Sequence, residues 1–268
     1  MQLSISCGNT TAVEFIKKLD NLKWLGYTCC IKLTKFLTDG DDMDVLQKIK
    51  GGLIVSCQAL PEEPLHSPFI MAHMAVAAMR GGAKGIRANS VDDICEIKKA
   101  VAAPVIGIIK REYDGSSVYI TPTMEEVDAL VRCGCDIIAT DATERPRPFG
   151  ETLETFFKKI RNKYPNQLLM ADCATYEEGM NAAALGFDLI GTTLCGYTDY
   201  TAGTPIPNYH LLSGLVFNCG KPVIAEGGIW SPQELELAKR CGVFAAVVGS
   251  AITRPMLITE RYAKVMAE

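Results

Sequence analysis

From Gly51 to its C-terminus the chain repeats one pattern eight times, a short apolar run followed by a longer stretch with helical periodicity. The runs Leu53–Cys57, Lys84–Arg87, Val105–Ile109, Asp136–Ala139, Leu168–Ala171, Leu189–Gly191, Val223–Ala225 and Ala245–Val248 read as strands. Unbroken runs rich in Val and Ile are what strands buried on both faces look like. Helices are expected over Ser67–Met79, Val91–Val101, Thr123–Cys133, Leu153–Tyr164, Tyr176–Leu185, Asn208–Phe217, Pro232–Cys241 and from about Pro255 to Ala267. Local signals agree: Pro68 stands in a first turn, Gly81–Gly82 is a stop, and Ser90 and Ser231 stand where caps belong. Parallel strands need helical crossovers, and eight such units close most naturally into an α/β fold of the (β/α)8 TIM-barrel type. An open doubly wound sheet would carry a glycine-rich nucleotide turn after its first strand, and Cys57-Gln58-Ala59-Leu60 is not one. The stretch from Gly214 to Gly220-Lys221 also fails as a phosphate loop, with five intervening residues instead of four and Pro222 where Ser or Thr is needed.

The totals exclude several functions. A net charge of −4 with no Lys/Arg block argues against a nucleic-acid partner. The 11 cysteines are scattered without CxxC or zinc-site spacing, as expected for reduced thiols in a cytoplasmic protein. The first residues lack a basic segment followed by a long apolar core, so a secretory signal is not expected, and apolar stretches such as Ile70–Met79 and Val243–Ile252 are too short and broken to span a membrane. Residues 1–42 stand outside the repeat, as an N-terminal extension to which no chemistry is assigned. In it Ala12, Phe15, Ile16 and Leu19 give Thr11–Leu25 a helical face, Tyr27–Leu37 suits a strand, and Thr38–Asp42 is a turn. The barrel domain is expected over 43–268. It opens with a short helix, Met43–Ile49, capped by Asp41 or Asp42 and placed to cover the barrel floor.

Active sites of such barrels lie at the C-terminal ends of the strands. Here the residues leaving the strands are Gln58, Arg87, Lys110, Asp141, Asp172, Thr192 with Thr193, Glu226, and Gly249 with Ser250. Polar residues are common where strands meet water, so no single one carries the argument. Taken together they converge on one small rim, where charges must be paired or used. Glu226-Gly227-Gly228 and Gly249-Ser250 follow the last two strands, the usual position of a barrel's phosphate site, where glycines let backbone N–H groups approach an oxyanion. Lys110 and Glu226 are the expected catalytic pair. Desolvation lowers a buried lysine's pKa, and a nearby carboxylate favours the ammonium and fixes its direction. A structural ion pair lining the barrel would use the same two residues. Arg87 and Asp172 are then expected to bind substrate hydroxyl, amide or carbonyl groups. His66, His73 and His210 have no linked carboxylate or nucleophile, and no metal-ligand spacing occurs.

GGLIVSCQAL with EPLHSPFIMAHMAVAA, GIRANSVDDI, PVIGIIKREY, VYITPTMEEVD, DATERPRP, MADCAT, GTTLCGYT, AEGGIWSP and VVGSAITRP together resemble the N-acetylmannosamine-6-phosphate 2-epimerases, in order from about Met43 to the C-terminus. The resemblance implies a phosphate-binding (β/α)8 barrel. It implies interconversion of N-acetylmannosamine 6-phosphate and N-acetylglucosamine 6-phosphate by proton removal and return at C2, in sialic-acid breakdown. It places the family's catalytic lysine on Lys110 and its glutamate on Glu226, and sugar contacts on Gln58, Arg87 and Asp172. Its phosphate loops fall on Gly227–Gly228 and Gly249–Ser250; the family often carries glycine at the position of Ser250. The partner implied is a small phosphosugar, with no metal or organic cofactor, and a homo-oligomer is compatible with it. Two rival readings use the same residues: a Schiff-base lyase or aldolase with Lys110 as nucleophile, and a phosphosugar-binding protein without catalysis.

Overall fold

Successive side chains of a strand point to opposite faces, and in this chain both sets are apolar. The computed structural model describes residues 45–267. Its eight strands are β1 (Leu53–Cys57), β2 (Gly85–Asn89), β3 (Val105–Ile108), β4 (Ile137–Asp141), β5 (Leu168–Asp172), β6 (Leu189–Gly191), β7 (Val223–Ala225) and β8 (Ala245–Val248). They pair in parallel in chain order, and β8 closes on β1, so the barrel has no sheet edge. One residue set, including Ile54, Ile106, Ile137, Met170, Leu189 and Val247, fills the barrel interior. The alternate set, including Val55, Ile86, Val105, Leu169 and Val248, packs outward against the helices. Residues 45–49 are helical, and Ile49 closes the interior cluster with no exposure, which agrees with the expected floor. The expected start of that helix, its cap at Asp41 or Asp42, and the elements read within 1–42 lie outside the described residues.

The crossover helices are α1 (Pro68–Arg80), α2 (Val91–Ala100), α3 (Met124–Arg132), α4 (Leu153–Lys163), α5 (Tyr176–Leu185), α6 (Tyr209–Asn218) and α7 (Pro232–Arg240). A four-residue helix, α8 (Ser250–Thr253), and the terminal helix α9 (Pro255–Ala267) follow β8. Ser90 accepts from the Asp93 N–H as expected, and Thr123, Thr175 and Ser231 complete reciprocal capping boxes with Glu126, Glu178 and Glu234. No residue of α9 is buried.

The structure differs from expectation at several strand ends. β2 runs from Gly85 to Asn89 instead of Lys84 to Arg87, while β4 and β5 extend to include Asp141 and Asp172. The cause is pairing: Asp141 stands opposite Asp172 in the parallel ladder, and Asn89 opposite Ile108. The two acids are therefore barrel residues and not loop residues. Beyond β3 the chain turns back on itself, with Lys110 bridging Ile120 antiparallel and the Arg111 N–H donating to the Tyr119 carbonyl at 2.9 Å. This hairpin carries Tyr119 and Ile120 over the barrel mouth.

The one glycine inside β3 answers to packing. A Cβ on Gly107 would lie 2.7 Å from the Cys135 sulfur and 2.9 Å from Ile94 Cδ1, in a layer where neither neighbour has free space. Gly107→Ala is expected to lower unfolding stability by about 1–3 kcal/mol, measured by urea denaturation. An unchanged midpoint would show that β3 tolerates the extra carbon.

Candidate active site

Strand parity aims the site. Ser56, Arg87, Asp141, Asp172 and Glu226 share the inward face with the interior apolar set, one layer nearer the C-terminal mouth, where helix-covered walls give way to a cavity of about 230 Å³. Lys110, Arg87, Gln58, Glu226, Gly227, Gly228, Gly249 and Ser250 all line it. Asp172 does not.

Arg87 is 1 % exposed and holds the centre. Its NH2 donates to Asp172 Oδ2 at 2.6 Å, and its NH1 donates to Asp172 Oδ1 at 3.1 Å and to Glu226 Oε2 at 2.7 Å. Against the cost of burial, the two carboxylates hold the guanidinium firmly protonated. Asp172, expected to bind substrate, has no exposure: Arg87 and the Thr193 hydroxyl, at 2.6 Å, cover its carboxylate, and both of its oxygens hold Arg87.

Lys110 and Glu226 are the residues expected to act as the catalytic pair. Both face the cavity, but the ion partner of Glu226 is Arg87, and Lys110 Nζ makes no ion pair or hydrogen bond among the described residues. Its backbone N–H donates to Asn89 Oδ1 at 2.8 Å, which fixes the backbone from which the side chain springs. Burial pushes the Lys110 ammonium down to about 8, helped by the positive charges of Arg254 and Arg87 and opposed by Glu226 and Glu63. Burial, and next Asp172, push the Glu226 carboxyl upward against Arg87, Thr193 and Lys110. The two groups thus approach one another in proton affinity, as suits a site that moves protons near neutral pH.

The opposite wall is built of turns. Gly227 and Gly228 have φ of +106° and +72°, and a Cβ on Gly228 would lie 2.8 Å from the Ile206 backbone carbon. Only glycine fits there. After Gly249, α8 is pinned by the Thr253 hydroxyl, which donates to the Ser56 carbonyl at 2.7 Å, and Arg254 emerges beside the turns. Arg254 reaches Glu63 at 3.2 Å and also lines the cavity. Two glycine turns and a guanidinium thus line one wall of the cavity, the groups that an anion would need. Sequence reasoning missed Arg254, although its place just past Gly249–Ser250 was a usable signal. Tyr119 it could not find, because only the hairpin brings that ring to the mouth. Asp141, left without a role, is buried and bonded to Thr143 and Arg145, and so shapes the loop after β4. Among the described residues no three His, Cys, Asp or Glu side chains cluster as a metal site.

Residues 71–268 match the family model described as "Putative N-acetylmannosamine-6-phosphate epimerase". The chain belongs to this family. A relative from Caldanaerobacter subterraneus subsp. tengcongensis, named "Putative N-acetylmannosamine-6-phosphate 2-epimerase", is 55 % identical over 226 residues, covering 84 % of this chain and 95 % of its own. One of the same name from Clostridioides difficile is 54 % identical over 220 residues, covering 82 % and 98 %. The solved structure of the Clostridium perfringens N-acetylmannosamine-6-phosphate 2-epimerase superposes with a TM-score of 0.79 at 52 % identity, covering 82 % of this chain and 95 % of that one. The epimerase family resemblance read from the motifs and the barrel read from the repeat are both borne out.

An ammonium buried without a partner costs stability. Between about 8 and the ordinary lysine value the unfolded chain binds more protons than the folded one at Lys110, so that contribution to stability rises with pH. At pH 7 the buried charge is at its most unfavourable, and Lys110→Met is expected to raise unfolding stability by about 1–3 kcal/mol, the gain fading above pH 10. A melting temperature unchanged or lowered at pH 7 would mean that the amine is better solvated than its surroundings indicate.

Proposed function

We propose that this chain interconverts N-acetylmannosamine 6-phosphate and N-acetylglucosamine 6-phosphate, with Lys110 moving the proton at C2. The observation that carries this reading is an unpaired lysine amine facing the same cavity as two glycine turns and an arginine. Membership of a family whose relatives bear the epimerase name supports it.

The chemistry follows from the placement. Gly227–Gly228, Gly249–Ser250 and Arg254 on the β7–β8 side would take the phosphate. That leaves the other end of the open-chain sugar toward β2 and β3, where Lys110 stands. A proton on C2 lies beside the C1 aldehyde and is acidic for a carbon acid. The neutral Lys110 amine takes it, leaving an ammonium and an enolate whose oxygen carries the charge. Protonation of the enolate on its other face inverts C2; when Glu226 gives that proton it is left as a carboxylate with Lys110 as the ammonium, and exchange with solvent resets both. Glu226, whose Oε2 is held by Arg87, presents its other oxygen as a second proton-handling group. Gln58, whose amide donates to Ser56 Oγ at 2.8 Å, lines the sugar end. The same reading takes 43–268 as the catalytic domain and 1–42 as an extension of unassigned role.

Proton NMR of N-acetylmannosamine 6-phosphate with the protein in D₂O tests the assignment, since it reports loss of the C2–H signal and product identity together. Lys110→Ala is expected to lose both by at least about 10³-fold, and near-normal exchange in that variant would overturn the role of Lys110. An unpaired, easily deprotonated amine also suits a Schiff-base nucleophile. Irreversible inactivation by borohydride only in the presence of substrate would favour that reading over epimerisation. Because the amine must be neutral to act, kcat/KM is expected to climb with pH toward about 8, and this limb should be absent from the residual rate of Lys110→Ala. Arg254→Ala is expected to raise KM for the phosphosugar about tenfold with little change in kcat, read from initial rates.

A further inference from the structure

Two adjacent threonines leave β6, and both are spent on Glu226. Thr192 fixes its backbone: the Thr192 hydroxyl donates to the Glu226 carbonyl at 2.9 Å and accepts from the Glu226 N–H at 3.2 Å. Thr193 faces its side chain. The Thr193 oxygen lies 2.6 Å from Asp172 Oδ1 and 3.3 Å from Glu226 Oε2. Those same two carboxylate oxygens are the ones that share Arg87 NH1. One guanidinium N–H group and one hydroxyl therefore bridge two carboxylates inside the barrel, and Thr193 has a single proton to give.

A hydroxyl shared in this way donates to whichever acceptor carries more charge. When Glu226 is ionised, Oε2 competes with Asp172 for the Thr193 proton. When Glu226 holds a proton, the position open to it is Oε1, because Arg87 already donates to Oε2. Oε2 is then the weaker acceptor, and the hydroxyl turns fully to Asp172. Both acceptors lie within reach of the one hydroxyl, at 2.6 Å and 3.3 Å, so rotation about its C–O bond exchanges one for the other.

We propose that Thr193 is a positioning residue for the proton handled by Glu226, its one hydroxyl turning between Asp172 and Glu226 as that proton arrives and leaves. No side chain then has to move when Glu226 changes charge; an O–H rotation suffices. The inference rests on the epimerase reading only for what Glu226 does to substrate. The hydroxyl's effect on the carboxylates is independent of it. The charged and titratable groups around the pair are Arg87 from β2, Lys110 after β3, and Tyr197 beyond β6 for Glu226, with Arg87, Tyr119, Cys173 and Asp141, its ladder partner on β4, around Asp172. Removing the hydroxyl withdraws a donor from two anions and leaves every one of these groups in place. Its proton is a stabiliser of the charged carboxylate, so its loss must raise the affinity of Glu226 for a proton.

The test compares Thr193→Val, which keeps the volume, with Thr193→Ser, which keeps the hydroxyl. Infrared titration of the protonated-carboxyl C=O band, assigned by its loss in Glu226→Gln, reads the pair directly without turnover. The expected midpoint moves upward in Thr193→Val by on the order of one pH unit and returns to the parent value in Thr193→Ser. Equal midpoints in all three proteins, with far-UV circular dichroism unchanged, would overturn the proposal. So would an upward shift of the same size in the serine variant. The epimerase reading is judged separately by C2–H exchange in the parent protein, whose absence would leave the titration result standing. With activity present, Thr193→Val is expected to lower kcat about tenfold with KM little changed, and the serine variant to restore it. A loss of kcat that serine does not restore would mean that packing, and not the hydroxyl, was removed.

Discussion

A guanidinium with 1 % exposure, placed between the ends of β5 and β7, is the contact on which the site is built. A cation so deeply buried persists only if its charge is matched nearby, and Arg87 takes two carboxylates to do so. Those carboxylates come from strands that are not sheet neighbours of β2, so the ion cluster ties across the barrel interior as well as around its wall. Removal of Arg87 leaves two buried carboxylates unmatched, a loss of roughly 3–5 kcal/mol. The cluster also leaves Lys110 without a partner, since the carboxylate that would have neutralised it is already bonded to arginine.

A free lysine and an engaged glutamate form a better proton-moving site than a salt bridge between them. A paired lysine would be held as ammonium and could not accept a proton from carbon. Here the positive neighbours Arg254 and Arg87 act with burial to release the proton, while the Asn89 contact fixes the backbone from which the side chain springs. Across the cavity Gly227 and Gly228, whose positive φ values side chains rarely adopt, leave that wall uncrowded.

The rim depends on a second buried arginine. Arg147 is 2 % exposed, donates to the carbonyls of Asp141, Thr121 and Pro122, and lies over the Phe156 ring at 4.0 Å from its centroid. It thereby joins the loop after β4 to the hairpin that carries Tyr119. The DATERPRP segment thus supports the mouth from behind. Glu178 does the same for the next loop, accepting from the N–H groups of Glu144, Ala174 and Thr175 and from the Tyr200 hydroxyl. Both act through backbone geometry, which is why neither stood out in the sequence as chemistry.

The repeat of apolar runs and capped helices was sufficient to determine the barrel, because strand and helix are governed by periodicity within a few residues. It also determined that Gln58, Arg87, Lys110, Glu226 and the glycine pairs would share one mouth, since every parallel strand ends on the same side. Which strand residue is last was less legible, and Asp141 and Asp172 became ladder members only through pairing with each other. The choice of ionic partners belonged wholly to tertiary structure. Arg87 and Glu226 are separated by 139 positions in the chain, and no local pattern records how far each side chain reaches across a closed cylinder. That distance, and not residue type, gave the glutamate to arginine, buried Asp172 beneath it, and left the lysine amine open to the cavity.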